Sequence, residues 1–122
     1  MSKHIMIIDD SKTIRNLLAF VVKSAGFKIT TAEDGLDALE KLYSMKPVDL
    51  IISDVNMPRM DGFTFIKTLR EQDAYKDVPI IVLSTEGKEQ DIATGIGAGA
   101  NLYMVKPAEP AKIIRNIKML LG

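Results

Sequence analysis

The sequence has 122 residues, the usual size of one domain, and we expect a single domain over residues 1–122 with no output domain. Its 47% hydrophobic residues are typical of a water-soluble globular chain, and sixteen acidic residues balance sixteen basic ones, so bulk charge predicts no nucleic-acid or lipid partner. The absence of cysteine excludes disulfides, thiolate catalysis and thiolate zinc sites. The short N-terminal apolar run predicts neither a signal peptide nor membrane insertion, and we expect a cytoplasmic protein that is monomeric.

The opening of the chain predicts a strand, a helix and a second strand. Residues 4–9 form an apolar run that indicates a central strand, and Ser11 can cap the helix that follows. That helix has one apolar stripe and ends at Gly26. The stripe consists of Ile14, Leu17, Leu18, Val21, Val22 and Ala25. Residues 28–32 form a shorter and more polar run, which predicts an edge strand.

The middle of the chain predicts a helix, a buried strand and another helix. Apolar residues between positions 36 and 45 pattern the first of these helices, which Pro47 stops. Residues 50–53 have the pattern of a strand that is buried on both faces. Because Pro58 fits neither a helix interior nor a ladder, a loop follows this strand until Asp61 caps the next helix. The apolar face of that helix consists of Phe63, Ile66 and Leu69.

The last third of the chain predicts two strands and two helices. Residues 80–83 and 101–105 are the apolar runs that indicate the strands. The helix between them, residues 88–96, is weakly specified, because each of two glycines near its end costs a helix interior roughly 1 kcal/mol relative to alanine. Pro110 suits the first turn of the final helix. The apolar stripe of that helix consists of Ile113, Ile114, Ile117, Leu120 and Leu121.

Five predicted strands thus alternate with five predicted helices, and each crossover holds one helix. This alternation forces the strands to pair in parallel. The sequence therefore predicts an α/β fold in which helices cover both faces of a doubly wound, five-stranded parallel sheet. No linker, charge block or repeat divides the chain.

Polar residues follow four of the five predicted strands. The first strand ends in Asp9 and Asp10, the third in Asp54, the fourth in Ser84 and the fifth in Lys106. The carboxyl ends of parallel strands meet at one edge of the sheet, which is where open α/β sheets bind ligands. If the first and third strands are neighbours, three carboxylates converge at that edge.

Three converging carboxylates would repel one another, and a hard divalent cation relieves such repulsion. Oxygen ligands with room for water suit Mg²⁺. Lys106 adds a positive charge and Ser84 a hydroxyl donor. Because carboxylates can act as nucleophiles through aspartyl-phosphate intermediates, the set fits a phosphoryl group attached to, or approaching, Asp54.

At these residues the sequence resembles the receiver domains of two-component response regulators, over essentially its whole length. The motifs that carry the resemblance are Asp9-Asp10, Asp54, Met57-Pro58, Asp61-Gly62, Ser84 and Lys106-Pro107. Three further features are most similar to the single-domain chemotaxis (CheY-like) group, namely Asn56, the run Thr85-Glu86-Gly87, and Tyr103. The resemblance implies the flavodoxin-like strand order 2-1-3-4-5, for which CheY is a standard example.

The resemblance implies that Asp54 accepts a phosphoryl group from a histidine kinase. It further implies that Asp9, Asp10, Asp54 and the backbone carbonyl of Asn56 surround Mg²⁺. A protein of this kind catalyses only its own phosphorylation and dephosphorylation and is not otherwise an enzyme. The implied partners are the kinase, a phosphatase, and a downstream effector such as a flagellar switch protein or another signalling protein.

The resemblance also implies how the phosphoryl group is held and read out. Ser84 and Lys106 would contact the phosphoryl oxygens, and Tyr103 would change rotamer on activation. Thr85 and Glu86 would modulate access to the site. Thr85 stands where the family commonly has alanine, and Ala108 follows Lys106-Pro107 where the family often has phenylalanine.

Three other functions share part of this pattern. A phosphatase of the haloacid dehalogenase type needs a second aspartate two residues after the nucleophile, and position 56 is Asn. A flavodoxin-like cofactor protein needs a phosphate-cradling loop after the first strand, where Asp9 and Asp10 stand instead. A phosphorelay intermediate without a motor target stays open as an alternative to a chemotaxis or motility regulator.

Other features have structural interpretations. The glycines at positions 95, 97 and 99 precede a strand and do not have phosphate-loop spacing. Gly99 is predicted to cap the fourth helix, and the other two glycines to form its loosely held end. Tyr43 is predicted to pack between helices, and Tyr75 to lie in a surface loop.

Overall fold

The computed structural model describes residues 2–45 and 47–122. The strands are β1 (His4–Ile8), β2 (Lys28–Ala32), β3 (Leu50–Ser53), β4 (Ile80–Ser84) and β5 (Leu102–Val105). The helices are α1 (Lys12–Ser24), α2 (Gly35–Tyr43), α3 (Gly62–Arg70), α4 (Glu89–Ala98) and α5 (Pro110–Leu121), with a short 3₁₀-helix at Asp73–Tyr75. The strands form one parallel sheet in the order β2-β1-β3-β4-β5, which confirms the predicted fold class.

The central strands separate two apolar cores. In β1, Met6 and Ile8 pack into one core, whereas Ile5 and Ile7 pack into the other. Helices α2, α3 and α4 contribute to the first core, and α1 and α5 contribute to the second. Both faces of the central strands are therefore buried, as their uninterrupted apolar runs predict. The more polar β2 lies at the edge of the sheet, as expected.

Two predicted N-caps and two predicted glycines at helix ends are confirmed. The side chain of Ser11 accepts from the backbone N–H of Ile14, and that of Asp61 accepts from the N–H of Thr64, so both residues act as N-caps. Gly26 follows the first helix at φ +97°, and Gly99 caps α4 at φ +123°. Residues with a Cβ rarely adopt this backbone region, which explains glycine at both exits.

The strand pairing places the polar strand ends at one level. Ile8 lies in register with Ser53 on one side and with Ala32 on the other. The N–H of Asp54 donates to the carbonyl of Ile8 at 2.9 Å, and the N–H of Asp9 donates to the carbonyl of Ala32 at 3.1 Å. The carboxyl edge of the sheet therefore begins with the residues that the sequence predicts to converge.

None of the described helices is both long and apolar enough to cross a membrane.

The predictions for two tyrosines are wrong. Tyr75 is only 4% exposed, because the 3₁₀-helix turns its ring into the core and its hydroxyl donates to the Leu42 carbonyl at 3.4 Å. Tyr43 is 62% exposed, because it stands at the last turn of α2, off the helix's buried face.

Helix α4 extends further than predicted and includes both glycines. Gly97 has open space around it, but Gly95 is buried under the Tyr103 ring. A Cβ atom at Gly95 would lie 2.9 Å from Cδ2 of Tyr103, so this glycine makes room for a ring. The prediction of a loosely held helix end is therefore wrong at Gly95.

Candidate functional site

Three carboxylates meet at the carboxyl edge of the sheet. Oxygen atoms of Asp9, Asp10 and Asp54 lie within 4.8 Å of one another. Asp9 is buried, Asp54 is partly buried and Asp10 is exposed, so the group opens to solvent on one side. A hard divalent cation prefers such oxygen ligands together with water, and the three side chains fit Mg²⁺ on that ground.

Lys106 supplies the positive charge of this group. Its Nζ lies 2.7 Å from Oδ2 of Asp9 and 3.2 Å from Oδ2 of Asp54. The other oxygen of Asp9 accepts a hydrogen bond from the N–H of Ser11 at 2.9 Å. The loop that follows β5 thus reaches across the sheet and binds carboxylates from β1 and β3.

The charges of the group are unevenly balanced. Burial raises the pKa of Asp54, and the N–H of Val55 and the nearby Lys106 offset this effect only in part. Burial by itself would lower the pKa of Lys106, but the hydrogen bond to Asp9 and the charge of Asp54 outweigh it, so that pKa is raised. Lys106 is closer to Asp9 than to Asp54, so its positive charge neutralises the Asp54 carboxylate less well than that of Asp9.

The backbone around Asp54 fixes its side chain. Oδ1 of Asp54 accepts a hydrogen bond from the N–H of Val55 at 2.7 Å. The N–H of Gly62 donates to the carbonyl of Val55 at 2.8 Å, which brings the start of α3 against this turn. A Cβ atom at Gly62 would stand 2.1 Å from the carbonyl oxygen of Asp54, so only glycine fits there. The Asp61-Gly62 pair therefore caps α3 and also permits its close approach to Asp54.

Glu86 forms hydrogen bonds with three other residues of the predicted site. Its carboxylate accepts from Nδ2 of Asn56 at 2.8 Å, and its N–H donates to Oγ of Ser84 at 3.1 Å. Its carbonyl accepts from the hydroxyl of Tyr103. Ser84 is fully buried. The half-buried Tyr103 ring packs against Gly95 of α4. The roles of these residues, and the metal role of the Asn56 carbonyl, stay predictions.

Thr85 and Ala108, the two positions that differ from the usual family residues, line the same cavity. This cavity has a volume of about 350 Å³ and lies among α1, the end of β4 and the start of α5. Its other lining residues are Ile14, Leu17, Leu18, Leu83, Lys106, Pro107 and Ile113. The side chain of Thr85 is exposed, and its predicted effect on access to Asp54 stays a prediction.

Sequence reasoning missed two groups beside the site. Arg15 of α1 donates to the backbone carbonyl of Asp9 at 2.8 Å. Asp34, which follows β2, forms a two-pronged ion pair with Arg59 from the loop after Asp54. A signal was available for Asp34, because it is a further acidic residue just past a strand end, but its partner is 25 positions away.

The doubly wound sheet, the strand-end carboxylates and the lysine that pairs with them together define a receiver domain. The chain belongs to the response regulator receiver domain family, whose model matches residues 5–118. It is 34% identical to chemotaxis protein CheY1 of Helicobacter pylori over 119 residues, which cover 97% of this chain and 96% of that protein.

Two further proteins are similar to this chain. The chain is similar to the solved structure of chemotaxis response regulator CheY4 of Vibrio cholerae, with 37% identity, a TM-score of 0.91, and coverage of 98% and 99% of the two chains. It is also 37% identical to the alkaline phosphatase synthesis transcriptional regulatory protein PhoP of Bacillus subtilis, over 99% of this chain but only 49% of that protein. These relatives support a CheY-like receiver of a two-component system.

Proposed function

We propose that Asp54 accepts a phosphoryl group from a phosphohistidine of a kinase, with Mg²⁺ as cofactor, and that phosphorylation switches an output face for a partner. The observation that carries this proposal is the position of Lys106, whose Nζ contacts carboxylates of both Asp9 and Asp54 beside the exposed Asp10. A lysine held between an acidic cation site and a partly buried carboxylate can bind the oxygens of a phosphoryl group that joins that carboxylate.

In the proposed reaction, an oxygen of Asp54 forms a bond to phosphorus while the bond from phosphorus to the donor's nitrogen breaks. The leaving imidazole keeps the electron pair of that bond, and the product is an acyl phosphate on Asp54. Mg²⁺, held by Asp9, Asp10, Asp54 and the Asn56 carbonyl, would neutralise charge on the phosphoryl oxygens. Lys106 would exchange its contact with Asp54 for one with a phosphoryl oxygen.

The proposed readout passes through Ser84 and Tyr103. Ser84 can donate a hydrogen bond to a new phosphoryl oxygen, a bond worth roughly 1.5–3 kcal/mol when the acceptor is charged. Doing so reorients the hydroxyl that now accepts from the N–H of Glu86. The carbonyl of Glu86 binds Tyr103, so the change reaches the ring that packs on α4.

We propose a chemotaxis or motility output, because CheY1 and CheY4 carry that name and are matched over 96% and 99% of their lengths. The effector would bind the face formed by α4, β5 and α5 when Asp54 is phosphorylated. In this proposal the protein works as a cytoplasmic monomer, catalyses only its own phosphorylation and dephosphorylation, and meets a kinase and a phosphatase in turn. A phosphorelay intermediate remains the alternative.

Labelling by acetyl phosphate and MgCl₂, followed by intact mass measurement, tests the phosphoacceptor. Wild type should gain one phosphoryl group, and Asp54→Asn should gain none. Asp61→Asn is the matched control, because Asp61 lies in the same loop but caps α3, a role that asparagine also fills. Stoichiometric labelling of Asp54→Asn, or loss of labelling in Asp61→Asn with Asp54 unmodified, would contradict the assignment.

A further inference from the structure

An ion pair ties the loop after Asp54 to the turn after β2. Nε of Arg59 donates to Oδ2 of Asp34 at 2.7 Å, and Nη2 donates to Oδ1 at 3.0 Å. This is the two-pronged geometry in which arginine binds a carboxylate most specifically. The Asp34 side chain is only 2% exposed, so its negative charge needs a partner inside the fold.

Asp34 lies at the same edge of the sheet as the acidic group. Ala32, two residues before it, pairs with Ile8, and the next residue of β1 is Asp9. Oδ1 of Asp34 also accepts from the N–H of Asp37, which makes Asp34 the N-cap of α2. The cap by itself fixes Asp34 in place, so the carboxylate is a rigid anchor for whatever binds it.

Arg59 reaches this anchor through an unusual backbone conformation. Its φ is +63°, and it is the one residue other than glycine with positive φ in the described ranges 2–45 and 47–122. This region is disfavoured for a residue with a Cβ. The pair with Asp34 therefore holds the loop in a conformation that the local sequence does not favour by itself.

A second contact closes the same junction. The N–H of Gly35 donates to the carbonyl of Met60 at 3.3 Å. A Cβ atom at Gly35 would stand 2.8 Å from Cγ of Met60, so glycine permits the approach. The loop of residues 55–61 is thus fastened at its far end to the start of α2, and at its near end to β3.

We propose that the Asp34–Arg59 pair positions the loop of residues 55–61 so that Asn56 and Asp54 present their oxygens to the divalent cation. Arg59 is a positioning residue in this view, because it acts through the loop and not on the metal. This inference rests on the proposed function, since it deepens the metal site on which that function depends.

Electrostatics and positioning predict opposite effects for one substitution. Arg59→Met removes a positive charge near an acidic site, which by charge alone would strengthen cation binding. If the guanidinium positions the loop, the same substitution weakens binding. Arg59→Lys keeps the charge but loses the two-pronged geometry, so it also weakens binding only if positioning matters.

The experiment is an NMR titration of each phosphate-free protein with MgCl₂, which follows amide shifts near Asp9, Asp10 and Asp54. We expect the Mg²⁺ Kd of Arg59→Met to rise about tenfold, as is usual when a residue that orients metal ligands is lost. Arg59→Lys should lie between that variant and wild type. The double variant Arg59→Met with Asp34→Asn should bind no more weakly than Asp34→Asn alone, because the two residues act as one unit.

Two controls separate this effect from charge and from unfolding. Arg115→Met removes a positive charge from α5, where Arg115 has no ion pair with the described residues, and should leave the Kd within about twofold of wild type. The double variant Arg59→Gly with Asp34→Asn loses the pair but leaves no unpaired buried charge, keeps an N-cap for α2 and suits the positive φ, so it should melt near wild type without metal and still bind Mg²⁺ weakly.

If Arg59→Met, or the double variant Arg59→Gly with Asp34→Asn, bound Mg²⁺ as tightly as wild type, the inference would be overturned and the proposed function would stand. If wild type itself showed no Mg²⁺-dependent shifts near the three carboxylates, both the inference and the metal-dependent function would be overturned.

Discussion

At the scale of single residues, one lysine forms ion pairs with two carboxylates. Lys106 is nearer to Asp9 than to Asp54, and Asp54 is partly buried. The ionised form of Asp54 is therefore disfavoured in the folded, metal-free protein, which is the direction of its pKa shift. The residue proposed as phosphoacceptor is also one that lowers stability until a cation or a phosphoryl group changes its surroundings.

The first prediction is that Asp54→Asn raises the melting temperature at pH 7 without metal. The folded pKa of Asp54 lies above its ordinary value of 3.8, so the folded state holds this proton more tightly than the unfolded state. Stability from this group is therefore lost as pH rises above 3.8 through the folded pKa. Asparagine removes that loss, and the gain should shrink as pH falls toward 3.8.

Thermal melts of both proteins across pH 4–8, with and without MgCl₂, measure this effect. Mg²⁺ should raise the melting temperature of wild type more than that of Asp54→Asn, because in the proposed site the folded state binds the ion through this carboxylate. A less stable Asp54→Asn at pH 7 would mean that the contact with Lys106 outweighs burial.

The second prediction concerns Glu86, whose carboxylate accepts a hydrogen bond from the side chain of Asn56, two residues after Asp54. Glu86→Ala should speed phosphorylation by acetyl phosphate roughly two- to fivefold, because it removes both this bridge and a charge that repels the anionic donor. Glu86→Gln is the matched control, since it removes the charge but keeps an oxygen that can accept from Asn56. Its rate should be intermediate, and rates equal to wild type in both variants would show that Glu86 does not limit access.

At the scale of the elements, α4 combines a weak sequence with one close contact. Its N-cap residue, Lys88, makes no side-chain capping bond, and two glycines lie within the helix. Gly95 is nevertheless needed where it stands, because the Tyr103 ring packs on it. Helix α4 is therefore held in place by its packing against α3 and β5 much more than by its own helical propensity.

The third prediction compares the two glycines of α4. Gly97→Ala adds a methyl group where nothing lies within 4 Å, and should stabilise the protein by about 1 kcal/mol, or about 4 °C in Tm. Gly95→Ala offers the same gain in propensity but drives a Cβ atom into the Tyr103 ring. It should be no more stable than wild type and should alter the tyrosine fluorescence. A stabilised Gly95→Ala with an unchanged Tyr103 signal would contradict this packing.

At the scale of the whole molecule, hydrogen bonds and packing connect the acidic edge to α4. Asn56, in the loop after Asp54, binds Glu86, and Glu86 binds Tyr103, which rests on Gly95. Each contact joins segments that are distant in the chain. A change at the carboxyl end of β3 can therefore reach a surface on the far side of β4.

The fourth prediction is that beryllofluoride with MgCl₂, which mimics a phosphoryl group on Asp54, shifts amide signals from Ser84 through Tyr103 to α4. The path of contacts predicts this spread, because reorienting the Ser84 hydroxyl frees the N–H of Glu86. Tyr103→Phe removes the hydrogen bond to the Glu86 carbonyl. In this variant the amide shifts in α4 should be lost, while the shifts near Asp54 persist. Wild-type shifts confined to Asp9, Asp10, Asp54 and Lys106 would show that α4 is not the switch.

The sequence by itself determined the fold and the members of the acidic group. Apolar runs and helical stripes are local patterns, and alternating strands and helices leave parallel pairing as the compact solution. The strand-end positions of Asp9, Asp10, Asp54 and Lys106 follow from those same patterns, and the structure brings these four side chains together.

Only the tertiary structure decided the contacts between distant segments. The pairing of Asp34 with Arg59, the burial of Tyr75 and the need for glycine at position 95 each depend on a neighbour from another element. Periodicity reports which face of an element is apolar, but not which side chain will stand opposite it. The carboxylates can therefore be named from the sequence, whereas the residues that hold and connect them appear only when the chain is folded.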